Sequence, residues 1–586
     1  MDPKMILSAS GWRKVFSISG EEQDKSIEIS SENRTISIAA GIVFYEYLCS
    51  KTGIDCPVIA VGIDTRPTGP AIADGVIRAL LKKGAIIQYS GITSAPEIMA
   101  YAKKLDGFVY ISASHNPIGH NGIKFGTNDG GVLNGQENAL LVKRFLEILS
   151  DDSLATKITE EAMSISSQKL DAVYTGIESA KFNALHAYED FICETVVDTK
   201  DIGKQKAFFD NLQNSLSANP AGIVCDFNGS SRARCIDKEF FTKNKINFYS
   251  INDNQIVHEI IPEAENLVHV AAEMEKLHAE GHTEVMLGYM PDCDGDRGNI
   301  VYWDENTQKA VILKAQEVFS LSVLAELTYS IWNNKSAENF KSAVAVNCPT
   351  SMRIEEIAGK LGAQVFRAEV GEANVVNLAR EKRAEGYTVR ILGEGSNGGT
   401  ITYPAAVRDP INTVFAIIKL LKMADGALFK IWCEKAGIPF KADFTLTDVL
   451  STLPVYTTTG VSEARALLKI NTKDHSQLKA RFQKIFEADW KNKVPELKKK
   501  YNISDYEAVI TNGTKETRNV SDFSESGKGG LKIILKSEGN PVAFMWMRGS
   551  GTEPVFRIMC DVKGNNPDFE LFLCKWLTEL LQAADK

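Results

Sequence analysis

The ten cysteines of this sequence run from Cys49 to Cys574 without one Cys-x-x-Cys pair. Several lie inside apolar runs, such as Cys225 in AGIVCDFNG and Cys574 in LFLCKWL. That usage fits reduced, buried thiols of a cytoplasmic protein better than a disulfide framework. No uninterrupted apolar stretch approaches the roughly eighteen residues that a membrane helix needs, so no membrane partner is expected. No block of Lys and Arg follows the pattern of a phosphate-backbone binder, and the formal net charge is −9, which argues against nucleic acid. The opening MDPKMILSASGWRKVF has neither a long apolar core nor a small-residue cleavage site, so it is not read as a secretory signal.

What is present is an ordinary globular composition. With 44% hydrophobic residues, every domain-length window has enough apolar side chains to bury. At 586 residues the chain is too long for one core and should form about four domains. A short β-branched run, a polar Gly-containing loop and a helical stretch recur in CPVIAVGIDTRPTGPAIADGVIRALLKKGA, in AGIVCDFNGSSRARCIDKEFFTKNKI and in SAVAVNCPTSMRIEEIAGKLGAQVFRA. Strands alternating with helices imply α/β layers with parallel strands, whose ligands gather at the loops beyond the strands' carboxyl ends. GLKIILKSEGNPVAFMWMRGSGTEPVFRIMCDV instead reads strand, turn, strand, loop, strand: a smaller antiparallel α+β domain. The charge-rich DHSQLKARFQKIFEADWKNKVPELKKKYNIS before it is expected to be a solvated helical face. SDDSLATKITEEAMSISSQKLDAVYTG reads as a peripheral helical elaboration of the first domain. The expected boundaries fall near residues 200, 312 and 457, giving domains 1–200, 201–311, 312–456 and 457–586.

Four loops carry chemistry. In PDCDGDRG, Asp292, Asp294 and Asp296 alternate directly behind an apolar strand. Carboxylates this close repel unless a hard cation neutralises them, so Mg²⁺ is expected, with Cys293 pointing away. An EF-hand would need Gly and an acid where this loop has Arg297 and Trp303. In MRGSGTEPVFR, Ser550, Gly551 and Thr552 offer hydroxyls and a close backbone, while Arg548 and Arg557 offer forked donors: a phosphate cradle. In GEGSNGG, Glu394 and Ser396 suit sugar hydroxyls. In GFVYISASHNPIGHNGIKFG, Ser114 follows a strand and precedes His115, Asn116 and Pro117, where the chain must turn sharply; Lys124 lies beyond a Gly-rich bend. Taken singly, the serine reads as a turn or helix cap and the histidine as a core residue.

Together, ISASHNP, DCDGDR, GEGSNGG and RGSGTEP…R, in this order, resemble the four signatures of the α-D-phosphohexomutase superfamily, the family of phosphoglucomutase and phosphomannomutase. The resemblance extends from SGWRK near the N-terminus to the last loop. It implies three similar mixed α/β domains around a central cleft and a smaller C-terminal α+β domain. It further implies that Ser114 is phosphorylated in the resting enzyme and completes a Mg²⁺ site with Asp292, Asp294 and Asp296. A phosphoserine carries close to two negative charges, which three aspartates repel until a shared cation makes the cluster attractive. His115 and Arg297 would contact the transferring phosphoryl group and Lys124 would serve as general acid/base. Arg13 and Arg66 (in GIDTRPTG) match family positions near the phosphoserine. Glu394 and Ser396 would grip the sugar's 3- and 4-hydroxyls, and Arg548, Ser550, Gly551, Thr552 and Arg557 the phosphate that is not reacting.

The implied reaction interconverts hexose 1-phosphate and hexose 6-phosphate through a hexose 1,6-bisphosphate, which also acts as activator. Glucose is the favoured sugar, then mannose, then amino sugars. The expected partner is a small sugar phosphate, and the chain is expected to be a monomer or homodimer. The sequence departs from family pattern where dual-specificity bacterial members read Gly-Glu-Met-Ser-Gly-His: GEGSNGG has no histidine. AVAVNCPT offers Asn347 where some members have lysine, and AEVGEANV places Glu372 where relatives carry a basic residue. These departures bear on sugar choice. Phosphoglucosamine mutase, a metal-dependent sugar phosphatase and a non-catalytic scaffold of the same fold are the alternatives. The scaffold is disfavoured because Ser114 and all three aspartates are kept.

Overall fold

The structure, a computed structural model, describes residues 2–261, 264–334, 340–396, 398–549 and 555–586. The chain divides into two compact units: residues 1–313 with 401–426, and residues 314–400 with 427–586.

The first unit holds two mixed sheets. In the first, the order is Ile6–Ser8, Gly11–Val15, His120–Thr127, Gly107–Ile111, Val58–Ile63, Ile86–Ile92. Val58–Ile63 runs parallel to both Ile86–Ile92 and Gly107–Ile111. His120–Thr127 returns antiparallel and places Lys124 opposite Tyr110. The sheet is therefore mixed where alternating strands and helices suggested parallel layers, because the polar loop after Ile111 is short enough to act as a hairpin rather than a crossover. The helix Gly69–Lys83 starts with a proline in its first turn and stops at Gly84, whose φ of 102° closes it in the left-handed conformation. Ser94 and Glu97 form a reciprocal capping box at the start of Ala95–Ala102.

The segment from Asp152 to Thr175 forms the helices Asp152–Met163 and Ser167–Thr175. Its few apolar residues, Ile158, Ala162 and Leu170, join the first core, so the segment is packed rather than only peripheral. The second sheet has the order Lys309–Ile312, Asn299–Asp304, Val285–Met290, Gly222–Asp226, Asn247–Ile251. Gly222–Asp226 is parallel to its neighbours on both sides and Asn299–Asp304 is antiparallel.

The second unit holds the third sheet, in which Gln364–Ala368, Ser342–Asn347 and Thr388–Gly393 are parallel; it ends at the short strand Thr400–Thr402. The C-terminal sheet is antiparallel in the order Tyr456–Thr458, Phe556–Lys563, Asn540–Gly549, Gly530–Ser537, Asp505–Asn512, Lys515–Arg518. The helix His475–Tyr501 is more than a solvated face. Leu478, Phe482, Phe486 and Leu497 are buried in a core shared with Leu573 and Leu577 of Pro567–Ala584. All ten cysteines are free.

One buried arginine ties the first unit together. Arg232 donates to Asp237 Oδ1 through Nε (3.1 Å) and Nη2 (2.9 Å), and to Tyr188 Oη through Nη1 (2.8 Å). Tyr188 in turn donates to Asp409 at 2.7 Å, and Tyr289 to Asp237 at 2.6 Å. The arginine side chain is fully buried. Two carboxylates depend on this single cation, so its removal leaves buried charge uncompensated. Arg232→Met is expected to destabilise the first unit by about 3–5 kcal/mol, read as a lower urea midpoint for that unit's transition. A midpoint unchanged within error would contradict this role.

Candidate active site

The serine loop leaves the buried strand Gly107–Ile111 at its carboxyl end. Ser114 takes φ = 54°, a left-handed conformation that costs a non-glycine residue free energy and persists only where its surroundings impose it. Here Arg66 imposes it. The guanidinium donates to the carbonyls of Ser114 (2.6 Å), Asn116 (2.6 Å), Pro117 (2.5 Å) and His120 (3.1 Å), and through Nε to Asp64 (3.2 Å). All five N–H donors of Arg66 are thereby engaged. The resemblance placed Arg66 near the phosphoserine, among the substrate-binding candidates with Arg13; in the structure it clamps the loop that presents Ser114.

Ser114 Oγ donates to Asp292 Oδ2 at 2.6 Å and lies 3.4 Å from His115 Nδ1. Asp292, Asp294 and Asp296 are all buried, with one carboxylate oxygen of each within 4.8 Å of the others. Burial first, then Asp294 and Asp296, push the Asp292 carboxyl up to about 8. Burial also opposes ionisation of Asp294, but Lys124, whose Nζ donates to Asp294 Oδ2 at 2.6 Å, outweighs it and holds that carboxyl below its ordinary range. Burial disfavours charge on Lys124 as well, yet Asp294 and Asp296 raise its pKa, so the ammonium stays protonated. The charge of Arg297, then burial and Arg13, hold His115 well below the ordinary imidazole range and keep it neutral. Arg297 Nε has no hydrogen-bond partner among the described residues and lies 4.0 Å from Asp292 Oδ2.

The aspartate loop is tightly shaped. Gly295 has φ = 73°, and a Cβ there would lie 2.5 Å from Arg232 Cδ. Cys293 is directed away from the carboxylates, with Sγ 3.4 Å from Thr65 Oγ1. The donor set fits a hard divalent cation. Asp294 Oδ1 and Asp296 Oδ1 are buried without hydrogen-bond partners among the described residues, which is costly unless something binds there. All the available donors are carboxylate oxygens, as Mg²⁺ prefers. Arg408, whose Nη2 donates to Asp296 Oδ2 at 2.7 Å, joins this cluster and is invisible to sequence motifs; it lies 112 residues away in a segment without one. Arg13 reaches Asn116 Oδ1 of the serine loop at 3.4 Å, and its buried Nε has no hydrogen-bond partner among the described residues.

The second unit carries the other predicted groups. Glu394 Oε1 accepts from Asn347 Nδ2 (2.9 Å) and from the Gly371 amide (2.7 Å), and Asn347 also reaches Ser396 Oγ at 3.4 Å. Thr350 fixes the asparagine by donating to its Oδ1 at 2.6 Å and holds the Gly395 amide at 3.0 Å. Asn347 therefore orients the acceptor of this loop. Arg548 and Arg557 face each other directly in register on adjacent antiparallel strands, on one side of the sheet. Arg548 Nε lies 3.1 Å from Glu369 Oε1, and Arg557 Nη1 donates to the Val461 carbonyl at 3.2 Å. In AEVGEANV the buried acid that meets the arginine is Glu369, while Glu372 opens the helix Glu372–Ala384. Ser550, Gly551 and Thr552 lie outside the described residues.

The sequence matches two domains described as phosphoglucomutase/phosphomannomutase, alpha/beta/alpha: domain I over residues 20–151 and domain III over residues 323–435. The first match contains the serine loop and the strands on either side of it; the second contains Glu394 and Ser396. A phosphoglucomutase/phosphomannomutase of Thermococcus kodakarensis is 24% identical over 558 residues, which covers 94% of this chain and 95% of the relative. A phosphoglucosamine mutase of Nautilia profundicola is 25% identical across 59% of this chain and 67% of its own length. Among solved structures, a phosphoglucomutase/phosphomannomutase family protein from Burkholderia thailandensis superposes with a TM-score of 0.62 at 15% identity, covering 99% of this chain and 97% of that one. Parafusin, a phosphoglucomutase from Paramecium in its open form, does so with a TM-score of 0.57, also at 15% identity, across 99% and 95% of the two chains. With its three mixed sheets and antiparallel C-terminal sheet, the chain belongs to the α-D-phosphohexomutase superfamily and is an enzyme of its phosphoglucomutase/phosphomannomutase family, an intramolecular phosphotransferase.

Proposed function

We propose that this enzyme interconverts hexose 1-phosphate and hexose 6-phosphate, with glucose as the favoured sugar and mannose next, through a phosphoserine at Ser114 and a hexose 1,6-bisphosphate. The observation that carries the reading is Ser114 itself: a strained, buried serine whose hydroxyl lies 2.6 Å from a carboxylate of an acidic triad. Strain of this kind concentrates where a loop must present a reacting group. The four sheets would mark four domains, with boundaries near residues 200, 312 and 457.

In the first transfer, the bond between phosphorus and Ser114 Oγ breaks and a bond to the free hydroxyl of the hexose phosphate forms. The proton of that hydroxyl would pass to a non-bridging oxygen of the transferring phosphoryl group, and one from the Lys124 ammonium to Ser114 Oγ. Lys124, kept cationic by Asp294, suits the return of a proton to the serine oxygen and offsets charge on the transferring group. Neutral His115 and Arg297 offer N–H groups to the phosphoryl oxygens. Arg66 holds the loop still throughout. Asp292, Asp294 and Asp296 would hold Mg²⁺, which when bound supplies positive charge against the phosphoserine and polarises its phosphorus. In the second unit Glu394 and Ser396 would bind the sugar hydroxyls, and Arg548 with Arg557 the phosphate that does not react. The second transfer returns the other phosphate to Ser114. Closure that excludes water would protect the phosphoserine from hydrolysis.

Amino sugars form the second reading, because phosphoglucosamine mutases of several organisms are among the relatives at 25–26% identity across about three-fifths of this chain. Steady-state turnover of glucose 1-phosphate, mannose 1-phosphate and glucosamine 1-phosphate, with Mg²⁺ and trace glucose 1,6-bisphosphate, separates the two. The proposal expects the highest kcat/KM for glucose 1-phosphate and a clear preference for it over the amino sugar. Turnover of the amino sugar alone would replace the proposed substrate while leaving the phosphoryl transfer in place.

Ser114→Ala is expected to lower turnover by about four orders of magnitude or more, since nothing else can carry the phosphoryl group. Lys124→Met should cost roughly 10²–10⁴-fold in kcat, the range of a lost general acid, with a smaller change in KM. A folded Ser114→Ala protein that still turns over would sink the mechanism. Treatment with EDTA should abolish activity and Mg²⁺ restore it; full activity in the chelated protein would rule out a role for the triad as a metal site.

A further inference from the structure

A second, chemically different cavity lies in the second unit. It has a volume of about 350 Å³ and is bounded by the helix Arg353–Lys360, the strand Gln364–Ala368 and the C-terminal sheet. Its walls are partly apolar, formed by Met352, Tyr456, Val509, Ile534 and Pro541. Such a volume lies within the range of small-molecule sites.

The charges around it do not cancel. Four cationic side chains line the cavity, Arg367, Arg518, Lys532 and Lys563, against three carboxylates, Glu355, Glu356 and Glu516. Each carboxylate already has a cation. Glu355 takes a forked pair from Arg367, with Nε and Nη2 both at 2.8 Å. Glu356 lies 2.7 Å from Lys563 Nζ and accepts from Tyr456 Oη at 2.5 Å. Glu516 lies 3.7 Å from Arg518, which also forks onto Glu507 at 2.8 and 3.0 Å. The unmatched cation is Lys532.

Lys532 should not be where it is without a reason. It sits in the strand Gly530–Ser537, whose alternate residues Leu531, Ile533 and Leu535 fill the C-terminal core. Lys532 and Ile534 point to the opposite face, and Lys532 is only 2% exposed. Among the described residues its ammonium makes no hydrogen bond or ion pair; its contact is with the ring of Phe544, 4.5 Å from Nζ to the centroid. Burial first, then the charge of Arg367, lower its pKa, and outweigh the opposing influence of Cys348, Glu355 and Glu516. A buried cation in this position costs free energy that an anion in the adjoining cavity would offset.

We infer that this cavity is a binding site for a small organic anion, whose carboxylate or phosphate head pairs with Lys532 while an apolar body rests on Met352, Val509 and Ile534. The site differs in character from the predicted sugar and phosphate contacts, which are polar throughout. It also has mechanical consequences within the unit. Its occupant would touch both the helix that follows the Asn347 strand and the sheet whose strands carry Arg548 and Arg557.

The test is binding of phenyl phosphate, benzoate and inorganic phosphate to the full-length protein by isothermal titration calorimetry, with Lys532→Met and Arg548→Met alongside. Phenyl phosphate and benzoate should bind more tightly than inorganic phosphate, because only they fill the apolar part. Lys532→Met should weaken the organic anions at least tenfold, and Arg548→Met should leave benzoate unchanged. If phenyl phosphate binds and benzoate does not, the head group is a phosphate; the reverse assigns a carboxylate. Equal affinities in wild type and Lys532→Met, or no binding of either organic anion to the wild type, would overturn the inference. Without added anion, Lys532→Met should melt no lower than the wild type, since an uncompensated buried charge is gone; a clear fall would show that the lysine is already satisfied and would count against the site. A crystal of the unmodified protein soaked in phenyl phosphate gives an arm without a variant. Density beside Lys532 supports the site, and density confined to other places overturns it.

Discussion

Negative charge packed into a small buried volume is the constraint on which the first unit is organised. Asp292, Asp294 and Asp296 each bring a carboxylate oxygen within 4.8 Å of the others, where water cannot screen them. Coulomb repulsion at that range is severe at low effective dielectric, so the fold must surround the loop with positive charge or proton donors. It does both: Lys124 meets Asp294, Arg408 meets Asp296, and the Ser114 hydroxyl donates to Asp292. The partners come from two distant stretches of chain, the hairpin that holds Ser114 and Lys124 and the segment that holds Arg408. With the returning strand His120–Thr127 antiparallel, Lys124 stands opposite Tyr110 and its ammonium reaches Asp294. The two carboxylate oxygens left over, on Asp294 and Asp296, are the portion of the charge problem that no group among the described residues solves.

Rigidity at Ser114 has a separate source. A serine at φ = 54° would relax if its loop were free. Arg66 prevents this by committing its whole guanidinium to four carbonyls of the loop and to Asp64. An arginine used this way is a scaffold, since it has no donor left for a ligand. Arg232 does the same for the aspartate loop, where its side chain packs under Gly295 and gathers Tyr188, Asp237 and Asp409. Both arginines are buried, and both order a loop of the acidic cluster and the serine that faces it.

This division explains what could be read in the sequence. Alternation of β-branched runs with helices gave the layered α/β character, and the closely spaced aspartates gave the acidic cluster, because both signals are local. The antiparallel turn of the first sheet was less legible: a strand's direction depends on how its connection closes, which composition does not encode. Arg408 was not legible at all, since its significance comes entirely from a partner 112 residues away. In AEVGEANV two glutamates lie three residues apart, and only the fold decides that Glu369 is buried against Arg548 while Glu372 begins a helix. Lys532 shows the same limit from the other side. In sequence it is one polar residue in an alternating strand, which normally marks a solvent face; the face it points to is covered.

The presence of Asn347 bears on how protons are handled in the proposed reaction. An asparagine can orient Glu394 and Ser396 through its amide, as observed, but it neither gains nor loses a proton in the working range. The loop GEGSNGG likewise has no histidine. Neither the asparagine nor a histidine of this loop is therefore available as the second acid/base; the titratable side chain of GEGSNGG is Glu394. In the first unit His115 is held neutral and Lys124 cationic. On this reading Lys124 serves the serine end of both transfers: the proton it gives to Ser114 Oγ in the first is the one it regains when the serine is phosphorylated again. On the proposed reading Glu394 and Ser396 would meet O3 and O4 and leave C2 unread, which is why glucose and mannose are closer competitors than either is with a sugar altered at O4.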